Sequence, residues 1–222
     1  MFCFLQGPLF FGMGHTAWIG NKICSPKPTD TYVVSGAAGA VGSMAGQLAK
    51  LTGARVIGIA GGPTKCAMLV SELGFDGAVD YKSENVEEAL KRLCPNGIDC
   101  YFDNVGGDIL DIALSLMNVF GRIAFCGAIS AYDGNMTDDA YSGPKNYKLI
   151  MRKRLKVQGF ICRDHAASKA ESTAEILAAI NAGKLKFKED VRVAPLENYV
   201  NTLNLLFNGG NTGKLIMKIA DI

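Results

Sequence analysis

A β-branched run, Thr31-Tyr-Val-Val34, enters a glycine-rich turn, Gly36-Ala-Ala-Gly39-Ala-Val-Gly42, and leaves as a helix-forming stretch over 41–50. That order of residues restricts the fold more than any other feature of the chain. A strand that passes straight into a helix through glycines leaves the first helical N–H groups without intrahelical partners. Their dipole then points at whatever fills the turn, and the missing Cβ atoms let an anion such as a pyrophosphate come close. Tight strand-to-helix packing needs the same glycines, so the triplet alone leaves phosphate binding open. The rest of the chain has to decide it.

From Thr31 onward, short β-branched runs alternate with longer helical patterns. Strands are expected at 31–35, 55–60, 77–80, 98–103, 121–126 and 155–161, with helices at 41–52, 63–74, 84–93, 107–118 and 145–153. Alternation with short connections predicts an α/β fold, a doubly wound parallel sheet of the Rossmann type covered on both faces. The rhythm then changes. A helix over 168–182 is followed by a strand at 185–193. Leu196, Tyr199, Val200, Leu203 and Phe207 repeat at helical spacing, and a last strand covers 214–219. These last strands need partners that the nucleotide fold does not obviously provide. Before the sheet, 25–30 holds two prolines and reads as a linker.

Composition excludes several classes. The 222 residues are 49% hydrophobic and 20% charged, with a net charge of +2, so no global field argues for nucleic acid. The basic run 151–156 reads as a solvated helix end. Seven cysteines lie scattered without C-x-x-C spacing and there are two histidines, so no zinc-ligand set and no metal is expected. Such cysteine usage suits a reducing compartment, the cytoplasm. The apolar opening 2–11 has no basic flank and is broken by Gly7-Pro8. It is neither signal peptide nor membrane span, and no membrane partner is expected.

A chain that takes NAD on this turn usually carries Asp or Glu at the end of the second strand, to hold the ribose 2′-hydroxyl. Here that strand ends Ile59-Ala-Gly-Gly62, without an acid, and Lys65 follows. A missing carboxylate leaves room for a 2′-phosphate and a nearby cation favours it, which points to NADPH. Lys65 as a plain surface lysine is the alternative. Two tempting motifs fail on local structure. Tyr141-Ser-Gly-Pro-Lys145 has the Y-x-x-x-K spacing of short-chain dehydrogenases, but Gly143-Pro144 breaks the helix that spacing requires. Gly209-Gly-Asn-Thr-Gly-Lys214 is one residue short of a phosphate loop and precedes a strand.

Val33-Val-Ser-Gly-Ala-Ala-Gly-Ala-Val-Gly42, Glu72-Leu-Gly-Phe-Asp76, Gly97-Ile-Asp-Cys-Tyr-Phe-Asp-Asn-Val-Gly-Gly107, Phe125-Cys-Gly-Ala-Ile-Ser-Ala-Tyr132, Val157-Gln-Gly-Phe160 and Gly209-Gly-Asn-Thr-Gly-Lys-Leu215 together resemble the zinc-independent medium-chain dehydrogenase/reductases. Within them the chain is most similar to the prostaglandin reductases, type 2 above all, with leukotriene hydroxydehydrogenases and curcumin reductases nearby. The resemblance runs from about residue 12 to the C-terminus. It implies NADPH-dependent reduction of the carbon–carbon double bond of an α,β-unsaturated ketone, such as a 15-oxo-prostaglandin-like enone. Quinone reduction, or NADPH binding without turnover, are the alternatives.

Carried over by motif, the resemblance places Ala38, Gly39, Ala40 and Val41 on the pyrophosphate, and Lys65 and Tyr81 on the 2′-phosphate. Asn104 would lie on the cofactor, where a turn asparagine is the plainer reading. Cys126, Gly127, Ala128, Ile129 and Ser130 would line the nicotinamide side, and Phe160, Ile161, Cys162 and Asn211 would complete the pocket. Tyr132 is the catalytic candidate, with a solvated loop tyrosine as the alternative. The resemblance also implies a homodimer through the strand containing Val157 to Ile161. It divides the chain into an N-terminal remnant and linker (1–30), a nucleotide-binding domain (31–165) and C-terminal elements (166–222), whose strands normally complete a barrel-like catalytic domain. Family members begin with a further substrate domain that this sequence does not match. The strands at 185–193 and 213–219 are therefore expected to be unpaired edges, with the segment 2–11 partly covering the gap.

Overall fold

A computed structural model describes residues 7–131 and 144–219. Its centre is a six-stranded, all-parallel sheet built from β1 (Thr31–Val34), β2 (Arg55–Ala60), β3 (Gly77–Asp80), β4 (Ile98–Asp103), β5 (Met117–Phe125) and β6 (Lys156–Gly159). The strand order is β3-β2-β1-β4-β5-β6. The order reverses between β1 and β4, which opens a crevice at the carboxyl ends of these strands. The doubly wound sheet expected from the alternation is present.

Crossover helices cover both faces. On one lie α2 (Ala40–Leu51) and α3 (Pro63–Ser71), with Val34, Met44, Ala45, Leu69, Phe75 and Phe102 in one apolar cluster. On the other, α4 (Val86–Leu93), α5 (Gly107–Leu116) and the short α6 (Lys148–Arg152) bury Val33, Ile57, Leu90, Tyr101, Leu114 and Ile123 in a second. All four residues of β1 are buried, as a strand covered on both faces requires. Several expected boundaries shift: α3 ends at Ser71 rather than 74, α4 starts at Val86 rather than 84, α5 ends at Leu116 rather than 118, and β6 covers Lys156–Gly159 rather than 155–161. Two further shifts have a visible cause. The strand after α5 starts at Met117 rather than at 121, because Met117 already pairs with Ile98 before a register shift. The expected helix at 145 starts only at Lys148, because the Lys145 and Asn146 amides donate to the Asp111 carboxylate instead.

The segment read as remnant and linker contains α1 (Gly7–Cys24), which packs on α2 and on α7 (Lys169–Asn181). Gly12, Gly14 and Gly20 argue against a helix at about 1 kcal/mol each. Packing reverses that preference: a Cβ at Gly20 would enter the Phe102 ring, and one at Gly14 would press on the Ile176 side chain. Trp18 Nε1 donates to Glu175 on α7 at 2.6 Å, and Asn21 Nδ2 donates to the Ala45 carbonyl at 3.0 Å. Residues 1–6 of the apolar opening lie outside the described residues.

The two last strands, β7 (Glu189–Val193) and β8 (Lys214–Lys218), are not unpaired: they pair with each other in parallel, Glu189 opposite Lys214 through Val193 opposite Lys218. Residues 185–188 do not join β7 as expected. Leu185 is buried against the α2 side of the sheet, and Gln47 holds the Lys186 backbone from both sides. Its Nε2 donates to the Lys186 carbonyl and its Oε1 accepts from the Lys186 amide, each at 2.8 Å. A side-chain amide replaces the strand partner. Between β7 and β8 runs α8 (Tyr199–Phe207), none of whose residues is buried.

Candidate functional site

The carboxyl ends of β1, β2 and β4 open into a cavity of about 790 Å³. Its floor is the glycine turn. Gly36 takes the left-handed conformation (φ +59°), and a Cβ at Gly42 would collide with the Gly36 carbonyl oxygen, so both positions require glycine. Gly39 caps α2 in extended geometry and no side chain caps that helix end; the first turn contains no acid. The amides of Ala40, Val41 and Gly42 precede the first i→i−4 bond and need acceptors. Ala38, Gly39, Ala40 and Val41 all line the cavity. An anion is the ligand such a helix end favours.

One end of the cavity is cationic. Lys65, in the first turn of α3, donates to the Gly209 carbonyl at 2.7 Å. Burial and neighbouring Lys82 hold its ammonium below the ordinary lysine value, with Asp190 opposing. The Tyr81 ring packs on Gly61, with its hydroxyl towards Gly209. The nearest acid in sequence, Asp80, is occupied: it accepts from the Gly62 amide at 2.7 Å, the Ser83 hydroxyl at 2.8 Å and the Lys82 amide at 3.0 Å. These bonds hold its carboxyl below the usual range. Two lysines and a phenol thus surround the end of β2 with no free carboxylate of β3 among them.

At the other end, Asn104 is fixed by Ser35. Its amide donates to the Ser35 hydroxyl at 2.9 Å and its Nδ2 to the Ser35 carbonyl at 2.7 Å. Ser35 in turn donates to the buried Asp103 carboxylate at 2.9 Å, which also accepts from Tyr101 and from the Val105 and Gly106 amides. Burial pushes the Asp103 carboxyl up, and these four bonds oppose the rise. Ile129 and Ser130 fold back onto this strand end, the Ser130 hydroxyl donating to the Val105 carbonyl at 2.6 Å. Both line the cavity, as do Asn104 and Asn211.

The structure therefore brings together Ala38, Gly39, Ala40, Val41, Lys65, Tyr81, Asn104, Ile129, Ser130 and Asn211 around one space. It places six other expected residues beside that space rather than on its wall. Cys126 and Cys162 pack with Phe160 on the sheet core, where Phe160 meets Phe102 edge to face at 6.3 Å. Burial pushes the Cys126 thiol up to about 12. Gly127 and Ala128 are half-buried in the segment after β5, and Ile161 points outward at 57% exposure. Tyr132 lies outside the described residues. Among the described residues there is no group of three or more His, Cys, Asp or Glu that could hold a metal, and no helix long and apolar enough to cross a membrane.

Nothing in the residue pattern marks the opposite wall. Tyr199, Thr202, Leu203, Leu206 and Phe207 of α8, with Leu215 and Met217 of β8, close the cavity from the other side. The helical spacing of these residues was visible, but spacing says only that a helix has an apolar face, not what it covers. The loop between α8 and β8 is fastened at both ends: Lys65 to the Gly209 carbonyl, and the Gly213 amide to the Ala38 carbonyl at 2.7 Å.

Comparison with known proteins follows the same outline. Residues 40–180 match the family model described as zinc-binding dehydrogenase. The 2-alkenal reductase (NADP(+)-dependent) of Nicotiana tabacum is 41% identical over 93% of this chain and 60% of its own length. Prostaglandin reductase 1 of Bos taurus is 43% identical over 92% of this chain and 62% of its own length. The crystal structure of CurA in complex with NADPH from Vibrio vulnificus superposes with a TM-score of 0.87 at 40% identity, covering 94% of this chain and 63% of that one. The chain thus spans about three fifths of the length of the relatives it matches.

Proposed function

The chain belongs to the zinc-binding dehydrogenase family of medium-chain dehydrogenase/reductases, and from that premise we propose that its cavity is an NADPH site serving reduction of the carbon–carbon double bond of α,β-unsaturated carbonyl compounds. The observation that carries the reading is the uncapped, acid-free N-terminus of α2 in the same cavity as Lys65 and Tyr81. Helix amides suit a pyrophosphate, and a lysine and a phenol without a free acid suit a 2′-phosphate and not a bare ribose diol. The names of the alkenal and prostaglandin reductases among the relatives support the substrate class. A 15-oxo-prostaglandin-like enone is the finer proposal, on the type 2 prostaglandin reductase resemblance.

Bound NADPH would supply a hydride to the β-carbon of the enone and leave as NADP+, and solvent water would supply the proton that the α-carbon of the resulting enolate takes up. The chain's own residues orient and discriminate. The amides of Ala40 and Val41 take the pyrophosphate, Lys65 and Tyr81 the 2′-phosphate, and Asn104, held by Ser35, sets the depth at the strand end. Asn211 closes over the cofactor from the C-terminal loop. Ile129 and Ser130 form the wall towards the acceptor, backed by Cys126, Gly127 and Ala128. Phe160, Ile161 and Cys162 support that wall from the adjoining strand end. Tyr132 would donate its phenolic hydrogen bond to the enone carbonyl, stabilising the enolate oxygen. We place the protein in the cytoplasm, in keeping with six described cysteines that are all free thiols. It would act as a homodimer through β6, one of the two edge strands of the sheet.

The test is a pair of measurements on one preparation. NADPH should raise the unfolding temperature more than NADH at equal concentration, and an enone should then drive loss of the reduced-nicotinamide absorbance. Equal stabilisation by both cofactors would overturn the NADPH assignment. NADPH binding without turnover on enones or quinones would instead support a binding module, which the exposed apolar residues Val191 and Val193 of β7 and Val200 of α8 favour. Turnover on quinones alone would move the substrate class.

A further inference from the structure

The cationic end of the cavity joins parts of the chain that are far apart in sequence. Lys65 of α3 reaches across to the turn between α8 and β8, its ammonium donating to the Gly209 carbonyl at 2.7 Å. From the segment after β3, the Tyr81 hydroxyl and the Lys82 ammonium approach the same residue: a Cβ at Gly209 would lie 3.5 Å from the first and 3.9 Å from the second. Gly209 is left-handed (φ +67°), so the turn presents bare backbone to all three groups. Lys65, Tyr81 and Gly209 line the cavity, and Lys82 stands exposed at its rim.

The two ammonium groups oppose each other: burial first, and the charge of Lys82 second, hold Lys65 below the ordinary lysine value. The carboxylates nearby are engaged elsewhere. Asp80 accepts from the Gly62 and Lys82 amides and the Ser83 hydroxyl, and Glu84 accepts from the Asp80 amide and from Arg92. Asp190 accepts from Arg192 and the Thr212 amide, though its charge still favours the Lys65 ammonium. The charge of Lys82 reaches Asp80, but among the described residues no carboxylate pairs with the Lys82 ammonium. Two cations and a phenol that converge without a counter-charge repel until an anion joins them, and a phosphate monoester brings up to two negative charges and three acceptor oxygens.

We propose that Lys82 is a further residue discriminating between the cofactors, and that a 2′-phosphate held by Lys65, Tyr81 and Lys82 fastens the α8–β8 wall to the sheet. The inference rests on the NADPH reading of the cavity and adds to it a residue and a consequence. An ammonium has three donors. Lys65 commits one to the Gly209 carbonyl and can give another to a phosphate oxygen while keeping the first. Lys82, with nothing else to bind, approaches the same anion from the other side of the turn. Repulsion between the two lysines then becomes attraction to a shared charge, and the tie from Lys65 to Gly209 gains a support that it lacks in the empty cavity. The turn is fixed again at its far end by the Gly213 amide on the Ala38 carbonyl at 2.7 Å, so holding Gly209 steadies Asn211 between them. A bare ribose diol carries no charge to join the lysines. The group that distinguishes NADPH from NADH thereby also holds down the wall opposite the glycine turn.

The experiment uses the full chain with NADPH, NADH and adenosine 2′,5′-bisphosphate, which carries the phosphate without the nicotinamide. At roughly ten times each ligand's own dissociation constant, NADPH and the bisphosphate should slow hydrogen exchange at 208–213 about tenfold, and NADH should leave it nearly unchanged. Lys82→Ala should weaken NADPH about fivefold to tenfold and NADH less than about twofold. Lys82→Arg should keep most of the preference. Because Lys82 is exposed, the unfolding temperature of Lys82→Ala without ligand should match that of the parent, which separates lost binding from lost folding. A parent that binds NADH as tightly as NADPH would remove the cofactor reading on which the inference rests. A parent that prefers NADPH, with the preference intact in Lys82→Ala, overturns the inference alone. Equal slowing at 208–213 by NADH and NADPH overturns it as well.

Discussion

The two walls of the cavity are made differently. The floor belongs to the parallel sheet, where every residue of β1 and all but Arg55 of β2 are buried. The opposite wall belongs to the β7–α8–β8 unit, where no residue of α8 is buried and β8 is half-exposed along its length. The floor is held by apolar area on both faces, and the cover by a handful of polar ties: Gln47 to Lys186, Lys65 to Gly209, Gly213 to Ala38, and the Thr212 amide to Asp190. Local stability follows buried contact density, so the floor should open only with global unfolding and the cover well before it. A long cofactor can enter such a site because one wall is fixed and the other is lightly tied.

The largest expected effect breaks the comparison at its apolar root. Phe102 is fully buried and Phe207 is 39% exposed on the cavity side of α8. Phe102→Ala should cost about 3–5 kcal/mol in denaturant unfolding, the range for a deleted core aromatic. Phe207→Ala should cost about 1 kcal/mol or less, as a partly exposed truncation does. Equal costs would mean that the cover carries core stability and that the distinction is false.

Next in size is Lys65→Ala, which acts on both walls at once. It removes the cation from the 2′-phosphate end of the proposed site and one tie of the cover. A charge-assisted contact of about 1.5–3 kcal/mol corresponds to roughly a tenfold to hundredfold loss of NADPH affinity. NADH affinity should change little. An equal loss for both cofactors, read by titration of cofactor fluorescence, would leave Lys65 with the structural tie alone.

A smaller effect sharpens where the cover begins. Gln47→Leu keeps the volume but deletes both bonds to the Lys186 backbone. It leaves the amide and carbonyl of Lys186, an exposed residue, without their protein partners, at about 0.5–1.5 kcal/mol per bond. Hydrogen exchange should speed up at 185–193 and 213–218 and stay unchanged in β1 and β4. A uniform increase would show that Gln47 supports the sheet instead of the cover.

What the sequence made legible follows the same division. The sheet was readable because its signals are local: β-branched runs, glycine turns such as Gly36 and Gly42, and short connections leave few other folds open. The cationic end was readable because an absent acid after Ala60 and a lysine at 65 sit within one βα unit. α1 was not, since Gly12, Gly14 and Gly20 carry a poor intrinsic preference, and the value of Gly14 and Gly20 lies in contacts with Ile176 and Phe102, far along the chain. The second wall was not readable either. Leu203, Leu206 and Phe207 announce a helix, but only the bond from Gly213 to Ala38, across some 175 positions, says that the helix faces the glycine turn. Pairing of β7 with β8 was missed for the same reason: a sequence displays strands, and partners are a property of the folded chain.

The smallest expected effect is one of pH, and it has opposite signs in the two walls. In the floor, burial holds the Asp103 carboxyl above its ordinary value despite its four hydrogen bonds. A carboxyl raised on folding disfavours the native state where it is ionised. Its contribution therefore improves as pH falls from above the folded value down to the ordinary carboxylate value. In the cover, partial burial tends to raise Asp190, but the bonds from Arg192 and the Thr212 amide, with the Lys65 charge, leave it lowered overall. A depressed carboxyl stabilises the native state above its ordinary value and loses that contribution as pH falls through the folded one. Acidification below the ordinary carboxylate range should thus loosen the Thr212 tie while the Asp103 network holds. Hydrogen exchange, corrected for its intrinsic pH dependence, should show protection falling at 212–218 before it falls at 103–106. Asp190→Asn should lower protection of the cover near neutral pH and remove most of its further change in acid. A cover that keeps its protection in acid with Asp190 intact would show that its hold on the floor does not run through that carboxylate.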